Sequence, residues 1–241
     1  MSGHSKWAQI KRQKGAADLK KGRIFSRLSK AIILAAREKG GDPETNFALR
    51  LAVEKAKQAN MPQANIERAI KKGMGEAGGE KMEEVFCEIY GPGGAAIIVQ
   101  AITDNKNRTI SELKNTLTKS EARLGESNSV RWLFEERGVI IIRPEKSEKE
   151  ALMLAAIEAG AEDIKEGPEE TAVIVKKENF HNAREALEKK IKIDSAEIEL
   201  RPKNPLEITD PKILRQIRNL IEKLEENEDT VNLFTNLKEA V

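Results

Sequence analysis

Residues 171–201, TAVIVKKENFHNAREALEKKIKIDSAEIELR, contain the pattern that decides the fold of the C-terminal half of the chain. The apolar run over 171–175 predicts a strand, and residues 179–190 place their apolar side chains on one face of a helix. Residues 196–201 alternate apolar with charged side chains, which predicts a half-buried strand. The order within this stretch is therefore β-α-β.

The residues just before this stretch repeat the same order. Residues 139–143 form an apolar run that predicts a strand, and residues 148–159 predict a helix closed by Gly160. A further strand is expected near 162–165, before the turn that leads into the quoted stretch. Residues 138–202 thus predict βαββαβ, which is the ferredoxin-like split βαβ unit.

A hairpin is predicted ahead of this unit. Residues 85–90 and 95–103 have the periodicity of strands, and Gly91–Gly94 between them supplies the turn. The spacing of Thr109 and Glu112 predicts a capping box at the start of the next helix.

The chain ends with a helix and a strand that need partners. Asp210-Pro211 supplies a cap and a first-turn proline for the helix, and residues 230–237 alternate as a strand. One helix and one strand are too little for an independent domain. We therefore expect a discontinuous α/β domain formed by residues 80–137 plus 204–241, with a ferredoxin-like domain, residues 138–203, inserted in it.

The N-terminal third has a different character. Residues 1–22 lack a sustained helical period and are expected to form a basic arm, and residues 23–75 contain three short amphipathic patterns typical of a helical domain. Asp42-Pro43 is expected to cap the second helix and Pro62 to begin the third. Residues 73–79, rich in glycine, mark a boundary. The fold class predicted is α+β, with a three-helix domain followed by two α/β domains.

Charge is divided unevenly along the chain. Residues 1–75 carry 17 Lys/Arg against 6 Asp/Glu, whereas residues 76–241 carry 25 against 34. Such asymmetry is typical of a polyanion-binding segment joined to a region with a different function. A solvated tail that only aids solubility has the same composition. The candidate nucleic-acid-binding residues in the arm are Lys6, Lys11, Arg12, Lys14, Lys20 and Lys21.

The first helix adds a cationic stripe to the arm. At 100° per residue its basic side chains fall within about 80° of arc, opposite the apolar face, so they are expected to face outward. The candidate residues in the stripe are Arg23, Arg27, Lys30 and Arg37, and Lys71 and Lys72 extend the patch. These side chains are expected to contact phosphates, which supply affinity without sequence information.

Several other classes of protein do not fit the sequence. One cysteine, Cys87, excludes an internal disulfide framework and indicates a reducing cytoplasm, and two histidines leave little for a zinc site. No apolar run approaches the roughly 18 residues of a membrane span. Gly79 stands where a phosphate-binding loop needs lysine. We expect no cofactor, no metal and no catalytic constellation, and therefore no enzyme.

One polar cluster fits two interpretations. Asp104–Arg108 lies at the junction between a predicted strand and a predicted helix, where functional sites are common. A capped loop with no further role accounts for the same residues equally well.

Five stretches of the chain together resemble the YebC family, which includes a mitochondrial translational activator of a cytochrome oxidase subunit. They are MSGHSKWAQIKRQKGAADLKKGRIFSRL at 1–28, NMPQANIERAIKKG at 60–73, YGPGGAAIIV at 90–99, DNKNRT at 104–109 and LGESNSVRWLFEERG at 124–138. The resemblance implies three domains, one helical and two α/β, arranged around a cleft. The sequence departs from the family pattern at Arg12-Gln13, Glu126 and Asn128.

The resemblance implies a regulator of gene expression. The family is commonly described as DNA-binding transcriptional regulators, which is the function expected here. The alternative is a ribosome-associated translation factor that binds ribosomal RNA through the same basic surface, as the mitochondrial branch implies. A third interpretation makes the acidic α/β body a docking module for the ribosome or for protein partners.

Overall fold

The computed structural model describes residues 17–75, 82–143, 149–167 and 170–238, with the side chains of the first helix described from Gly22 onward. These residues form two compact units, one built from residues 17–133 and 204–237 and the other from Phe134–Lys203. The fold class is α+β, as predicted from the sequence.

The elements of the first unit are three helices, a sheet and two further helices. They are α1 (Ala17–Lys39), α2 (Phe47–Gln58), α3 (Gln63–Gly73), β1 (Glu83–Tyr90), β2 (Ala96–Thr103), α4 (Lys106–Thr118), β3 (Arg123–Leu124), α7 (Pro211–Glu226) and β8 (Thr230–Thr235). Those of the second unit are β4 (Phe134–Ile142), α5 (Lys149–Glu158), β5 (Asp163–Glu166), β6 (Thr171–Lys176), α6 (Phe180–Glu188) and β7 (Ile193–Pro202).

The first helix begins earlier than its hydrophobic pattern suggests. Helix α1 starts at Ala17, so residues 17–22 of the expected basic arm are helical and that expectation is wrong for them. Residues 17–21 (ADLKK) are mostly good helix formers, but only Leu19 among them is large and apolar, so the 3.6-residue period does not reveal them. Residues 1–16 lie outside the described part of the chain.

The second helix is capped by Asn46 and not by Asp42-Pro43, which corrects the sequence-based prediction. The Asn46 side-chain oxygen accepts a hydrogen bond from the Leu49 amide at 3.1 Å. Its Nδ2 donates to the carbonyl oxygens of Ala35 and Gly40, both at 2.7 Å. One buried amide therefore begins α2 and satisfies carbonyls at the end of α1.

Helix α3 ends where it touches α1. A Cβ at Gly73 would lie 2.6 Å from the Ile33 carbonyl oxygen and 2.7 Å from the Ala36 Cβ. Only glycine permits this approach, since real Cβ atoms need more than about 3 Å. The C-terminal ends of α1 and α3 are therefore fixed side by side.

The sheet of the first unit is antiparallel, in the order β3-β1-β2-β8. Strand β8 closes it by pairing with β2, with Leu233 opposite Val99. Helices α4 and α7 cover one face. The core between them and the sheet consists of Val85, Cys87, Ile89, Ile97, Val99, Leu113, Leu117, Leu220 and Leu224. The last helix and strand thus complete the sheet begun by the hairpin, more than a hundred residues earlier.

The second unit confirms the predicted βαββαβ order. Its sheet is antiparallel, in the order β5-β6-β4-β7, which is the ferredoxin-like arrangement. Strand β4 begins at Phe134, four residues before the predicted start of the unit, and Phe134 pairs with Pro202 of β7. In the described part of the chain no helix is long and apolar enough to cross a membrane.

Two fragments test the insertion of one unit in the other. Residues 134–203 contain every strand and helix of the ferredoxin-like unit, so this fragment should unfold in urea as one cooperative transition. Residues 1–137 lack Leu220, Leu224 and β8, so the first sheet should not form its core. A stably folded fragment 1–137 would show that the discontinuous domain is wrong.

Candidate nucleic-acid interface

The residues expected to bind phosphates occupy different parts of the molecule. Lys6, Lys11, Arg12 and Lys14 lie outside the described residues, and Lys20 and Lys21 lie in α1 with undescribed side chains. The remaining candidates, Arg23, Arg27, Lys30, Arg37, Lys71 and Lys72, are described in full. They fall into an inward-facing and an outward-facing group.

Arg27 and Lys30 do not face outward, which corrects the expected stripe. Both side chains are half-buried and reach the turn between α7 and β8. The Arg27 guanidinium donates to the carbonyl oxygens of Glu225 and Asn227. The cationic side of α1 therefore packs onto the rest of its own unit. The helical period of the sequence shows which side of a helix is polar, but not whether that side faces solvent or another part of the protein.

The chemistry of the α7 terminus explains why cations lie there. The last carbonyl groups of a helix have no partner within the helix and carry the negative end of its dipole. Arg27 supplies donors to two carbonyls of this turn, and Lys30 Nζ donates to the Glu228 carbonyl oxygen at 3.1 Å. The two basic residues thus cap α7 from another helix.

The same lysine meets a buried carboxylate, that of Asp229. Lys30 Nζ lies 2.5 Å from Asp229 Oδ1, and the side chains are only 14% and 5% exposed. Thr109 Oγ1 donates to the other carboxylate oxygen at 2.6 Å, and Arg108 Nη2 lies 3.3 Å from it. Asp229 therefore joins α1, the start of α4 and the start of β8.

The DNKNRT segment supplies the α4 side of this cluster. Asn105 caps α4 by accepting the Arg108 amide at 3.1 Å, so the capping box expected at Thr109 is wrong. Thr109 is instead buried, and its Oγ1 also accepts a hydrogen bond from the Thr103 hydroxyl, with the two oxygens 2.9 Å apart. Asn105 provides the cap that the capped-loop interpretation of Asp104–Arg108 expects, and the loop also anchors a contact that no local pattern shows.

Opposing effects set the pKa of Asp229. Burial alone would raise the pKa, since it disfavours the charged carboxylate. Hydrogen bonds from Lys30 and Thr109, the charge of Lys30 and the hydrogen bond from Arg108 outweigh burial and hold the pKa below its ordinary value of 3.8. The carboxylate is therefore ionised at neutral pH and paired with two cations.

The outward-facing cations gather at one end of the helical part. The last turn of α1 carries Arg37 and Lys39, and the last turn of α3 carries Lys71 and Lys72. The close approach at Gly73 places these two helix ends together. We call the four residues the helix-end cations. Lys39 was missed from the sequence because it falls on the apolar side of the helical wheel.

The helix-end cations are available to a ligand. Lys72 is half-buried and the other three are exposed. Arg37 donates to the Met82 carbonyl oxygen at 3.3 Å, and none of the four has an ion-pair partner among the described residues. Arg23, further along α1, is also exposed. Their positive charge is therefore not neutralised within the part of the chain that the structure describes.

The LGESNSVRW segment, residues 124–132, is held by a second buried carboxylate. Glu88 Oε1 accepts the Asn128 amide at 2.6 Å, and Oε2 accepts the amides of Val130 and Arg131, both at 2.7 Å. Glu88 is buried on strand β1. Three charge-assisted hydrogen bonds to main-chain amides fix the conformation of this loop against the sheet.

The cysteine and one of the histidines lie outside the basic surface. Cys87 is buried, and burial raises the pKa of its thiol. His181 lies at the surface near the start of α6. Within the described ranges, no three His, Cys, Asp or Glu side chains are grouped as metal ligands would be.

Replacing Asp229 should destabilise the protein at neutral pH. The Asp229→Asn variant leaves Lys30 half-buried without its counter-charge, which should reduce the free energy of unfolding by about 3 kcal/mol. Asp163→Asn is the matched control, because Asp163 is exposed and its pair with Lys165 is long, at 3.9 Å. The control should cost less than about 1 kcal/mol. Urea unfolding followed by circular dichroism measures both.

The cost of Asp229→Asn should depend on pH. Because the folded pKa of Asp229 is lowered, its stabilisation is complete above 3.8 and is lost as the pH falls through the lower, folded value. The difference between wild type and variant should therefore shrink in acid. If the difference in the free energy of unfolding stays constant down to a pH at which Asp229 is protonated, ionised Asp229 is not the source of the stability.

Two family descriptions together match nearly the whole chain. Residues 5–76 match the "TACO1/YebC protein N-terminal domain", and residues 82–237 match the "TACO1/YebC second and third domain". These are the helical region and the α/β region described above. They agree with the resemblance noted in the sequence.

Similar proteins extend over the same length. A protein of Caldanaerobacter subterraneus subsp. tengcongensis is 50% identical over 240 residues, covering 99% of this chain and 98% of its own. One of Natranaerobius thermophilus is 47% identical over 240 residues, covering 98% and 96%. Both are named "Probable transcriptional regulatory protein".

A solved structure has the same fold. The crystal structure of a conserved hypothetical protein from Aquifex aeolicus superimposes with a TM-score of 0.87 at 43% sequence identity, covering 97% of each chain. Sequence and structure therefore agree along the full length, and the chain belongs to the TACO1/YebC family.

Proposed function

We propose that the protein is a nucleic-acid-binding regulator of gene expression that contacts the phosphate backbone through its N-terminal third. It acts by binding and not by catalysis, in the cytoplasm, and uses no cofactor. The names of its relatives, probable transcriptional regulatory proteins, support the regulatory role. The binding residues we propose are Arg23, Arg37, Lys39, Lys71 and Lys72, together with the basic residues of the arm.

The observation that carries this proposal is the convergence of two basic helix ends. The last turn of α1, with Arg37 and Lys39, and the last turn of α3, with Lys71 and Lys72, adjoin where Gly73 packs on α1. A basic last turn also stabilises its own helix through the helix dipole. Two basic last turns side by side concentrate more positive charge than the dipole of either helix accounts for. Long basic side chains at one spot suit the closely spaced phosphates of a nucleic acid.

The surroundings of α1 disfavour site-specific reading of duplex DNA. A recognition helix must enter the major groove with polar side chains that reach base edges. The apolar face of α1 packs on α2 and α3, and Arg27 and Lys30 on its other face are bonded to the α7–β8 turn. Among the described side chains of α1, from Gly22 to Lys39, no full face is therefore left to enter a groove.

A second candidate function follows from the same observation. Ribosomal RNA presents equally dense phosphates, and a protein that binds backbone without reading bases is suited to it. The acidic balance of residues 76–241 would be repelled by a long duplex, whereas on a ribosome it can face proteins or solvent. The alternative is therefore a translation factor that binds the ribosome.

The helix-end cations should determine part of the salt dependence of binding. Each phosphate contact contributes about −0.9 to the slope of log affinity against log salt on duplex DNA. The Lys71→Gln/Lys72→Gln variant should therefore flatten the slope by about 1.8 and weaken binding equally on all sequences. Fluorescence anisotropy of a labelled duplex at several salt concentrations measures the slope.

A double variant of equal charge change provides the control. Lys189 and Lys192 are exposed in the ferredoxin-like unit, so Lys189→Gln/Lys192→Gln should leave the slope unchanged. The same slope in wild type and in the Lys71/Lys72 variant would remove the helix-end cations from the interface. Arg27 and Lys30 are unsuitable targets, since their replacement would disturb the packing of α1.

Discrimination between DNA sequences should be modest. Without a base-reading helix we expect less than about tenfold preference, or ~1.4 kcal/mol, where specific regulators reach ~4–10 kcal/mol. Competition binding at physiological salt measures the preference, and co-sedimentation with ribosomes that requires residues 1–30 would favour the second function. One operator preferred a thousandfold would instead establish a site-specific transcriptional regulator.

A further inference from the structure

Two aromatic rings and an arginine meet beside the loop that Glu88 holds. Tyr90 Oη and Trp132 Nε1 both donate to the carbonyl oxygen of Ser129, each at 3.1 Å. The guanidinium carbon of Arg123 lies 4.9 Å from the centroid of the Tyr90 ring. Pairing of β1 with β3 places Arg123 directly opposite Tyr90. We call Tyr90, Trp132 and Arg123 the aromatic platform.

The platform is exposed although its two rings are large and mostly apolar. Trp132 is 64% exposed and Tyr90 is 37% exposed. Tyr90 is the only tyrosine of the chain, and Trp132 is one of two tryptophans, so both exposed rings belong to residue types that are rare in this sequence. Rings that serve only to fill a core would be buried, whereas these keep their polar edges bonded to the loop and leave ring surface open to solvent.

Both rings of the platform are hydrogen-bonded to a loop that is itself held by a buried carboxylate. Glu88 fixes the loop on which Ser129 lies, and Ser129 in turn fixes both rings through its carbonyl oxygen. A Cβ at Gly125 would overlap Ser129 Oγ and lie 3.1 Å from Tyr90 Cε2, so the loop packs closely against the ring. Little side-chain entropy remains to be lost when a flat ligand stacks there.

We propose that the aromatic platform stacks unpaired nucleobases of a single-stranded nucleic acid. Exposed aromatic rings next to arginine are the recurring means of binding single strands, since every base has a π-face and the guanidinium can meet the adjacent phosphate. Arg123 is exposed and has no ion-pair partner among the described residues. This inference rests on the proposed function, because it specifies which part of a nucleic acid this second surface binds.

A protein partner fits this surface less well. A specific protein interface needs about 800 Å² on each side. Among the described residues of β1, β3 and the loop, the exposed large hydrophobic side chains are three rings, Phe86, Tyr90 and Trp132. Two rings and one guanidinium match the size of one or two bases. The platform is therefore assigned to bases.

The test separates stacking on bases from attraction to phosphates. The full-length protein carries Trp7→Phe so that tryptophan emission comes from Trp132 alone. It is titrated with an oligothymidylate of about ten nucleotides and with an abasic strand of equal length and charge. We expect the first strand to quench Trp132 and to bind roughly tenfold more tightly than the abasic strand. An oligouridylate of the same length shows whether RNA or DNA is preferred.

Variants then assign the difference to the platform. Trp132→Ala should abolish the preference for the base-bearing strand, measured by anisotropy of end-labelled strands, and leave affinity for the abasic strand unchanged. Trp132→Phe keeps a ring and should retain most of the preference. Leu154→Ala is the matched control, since Leu154 is also 64% exposed but lies in the ferredoxin-like unit. It should change neither affinity.

Three results would overturn the proposal. Wild type could bind both strands equally, Trp132→Ala could keep the preference, or neither strand could quench Trp132, as expected of a surface made for protein. A different result is expected if the proposed phosphate-binding function is wrong but the platform does bind bases. The abasic strand would then not bind to wild type, while the base-bearing strand would still quench Trp132.

Discussion

The first unit depends on one buried carboxylate, that of Asp229. Its two oxygens contact Lys30 from α1 and Thr109 and Arg108 from α4. Its main-chain amide donates to Asn227 Oδ1 at 3.0 Å. Its carbonyl oxygen accepts the Ile102 amide at 2.9 Å, at the end of β2. A charge this far from water is tolerated only with such complete pairing.

This pairing decides which cations remain for a ligand. The helical part carries an excess of positive charge, but Arg27 and Lys30 are used to hold α1 against the α7–β8 turn. The cations left exposed include those at the ends of α1 and α3, where Gly73 allows the two helices to pack closely. Packing thus divides one basic segment of sequence into a structural part and an exposed part, which we propose binds nucleic acid.

Glu88 performs a comparable task at the other side of the same sheet. Its carboxylate collects three backbone amides and so turns a polar loop of nine residues, 124–132, into a fixed support. The rings of Tyr90 and Trp132 are oriented by that support. Both surfaces that we assign to nucleic acid therefore owe their geometry to buried acidic residues that touch no ligand.

The sequence by itself determined the helices, the longer strands and their order, although not the two-residue strand β3. The strands and helices of the βαββαβ unit in residues 138–202 could be predicted from the sequence, because hydrophobic periods of 2 and 3.6 residues depend only on the local backbone conformation. The last helix and strand were assigned to the hairpin sheet by the same reasoning, since neither buries its apolar face alone. The excess of positive charge in residues 1–75 was likewise readable from composition.

Only the tertiary structure decided where polar side chains find their partners. Asn46 replaced Asp42 as a cap because it also reaches the end of α1, and Thr109 left its expected capping role for a carboxylate 120 residues further along the chain. Lys30 was predicted to face solvent and instead faces Asp229. Local periods report which face of a helix is apolar, but a hydrogen bond or an ion pair depends on two positions in space, which the chain brings together only on folding.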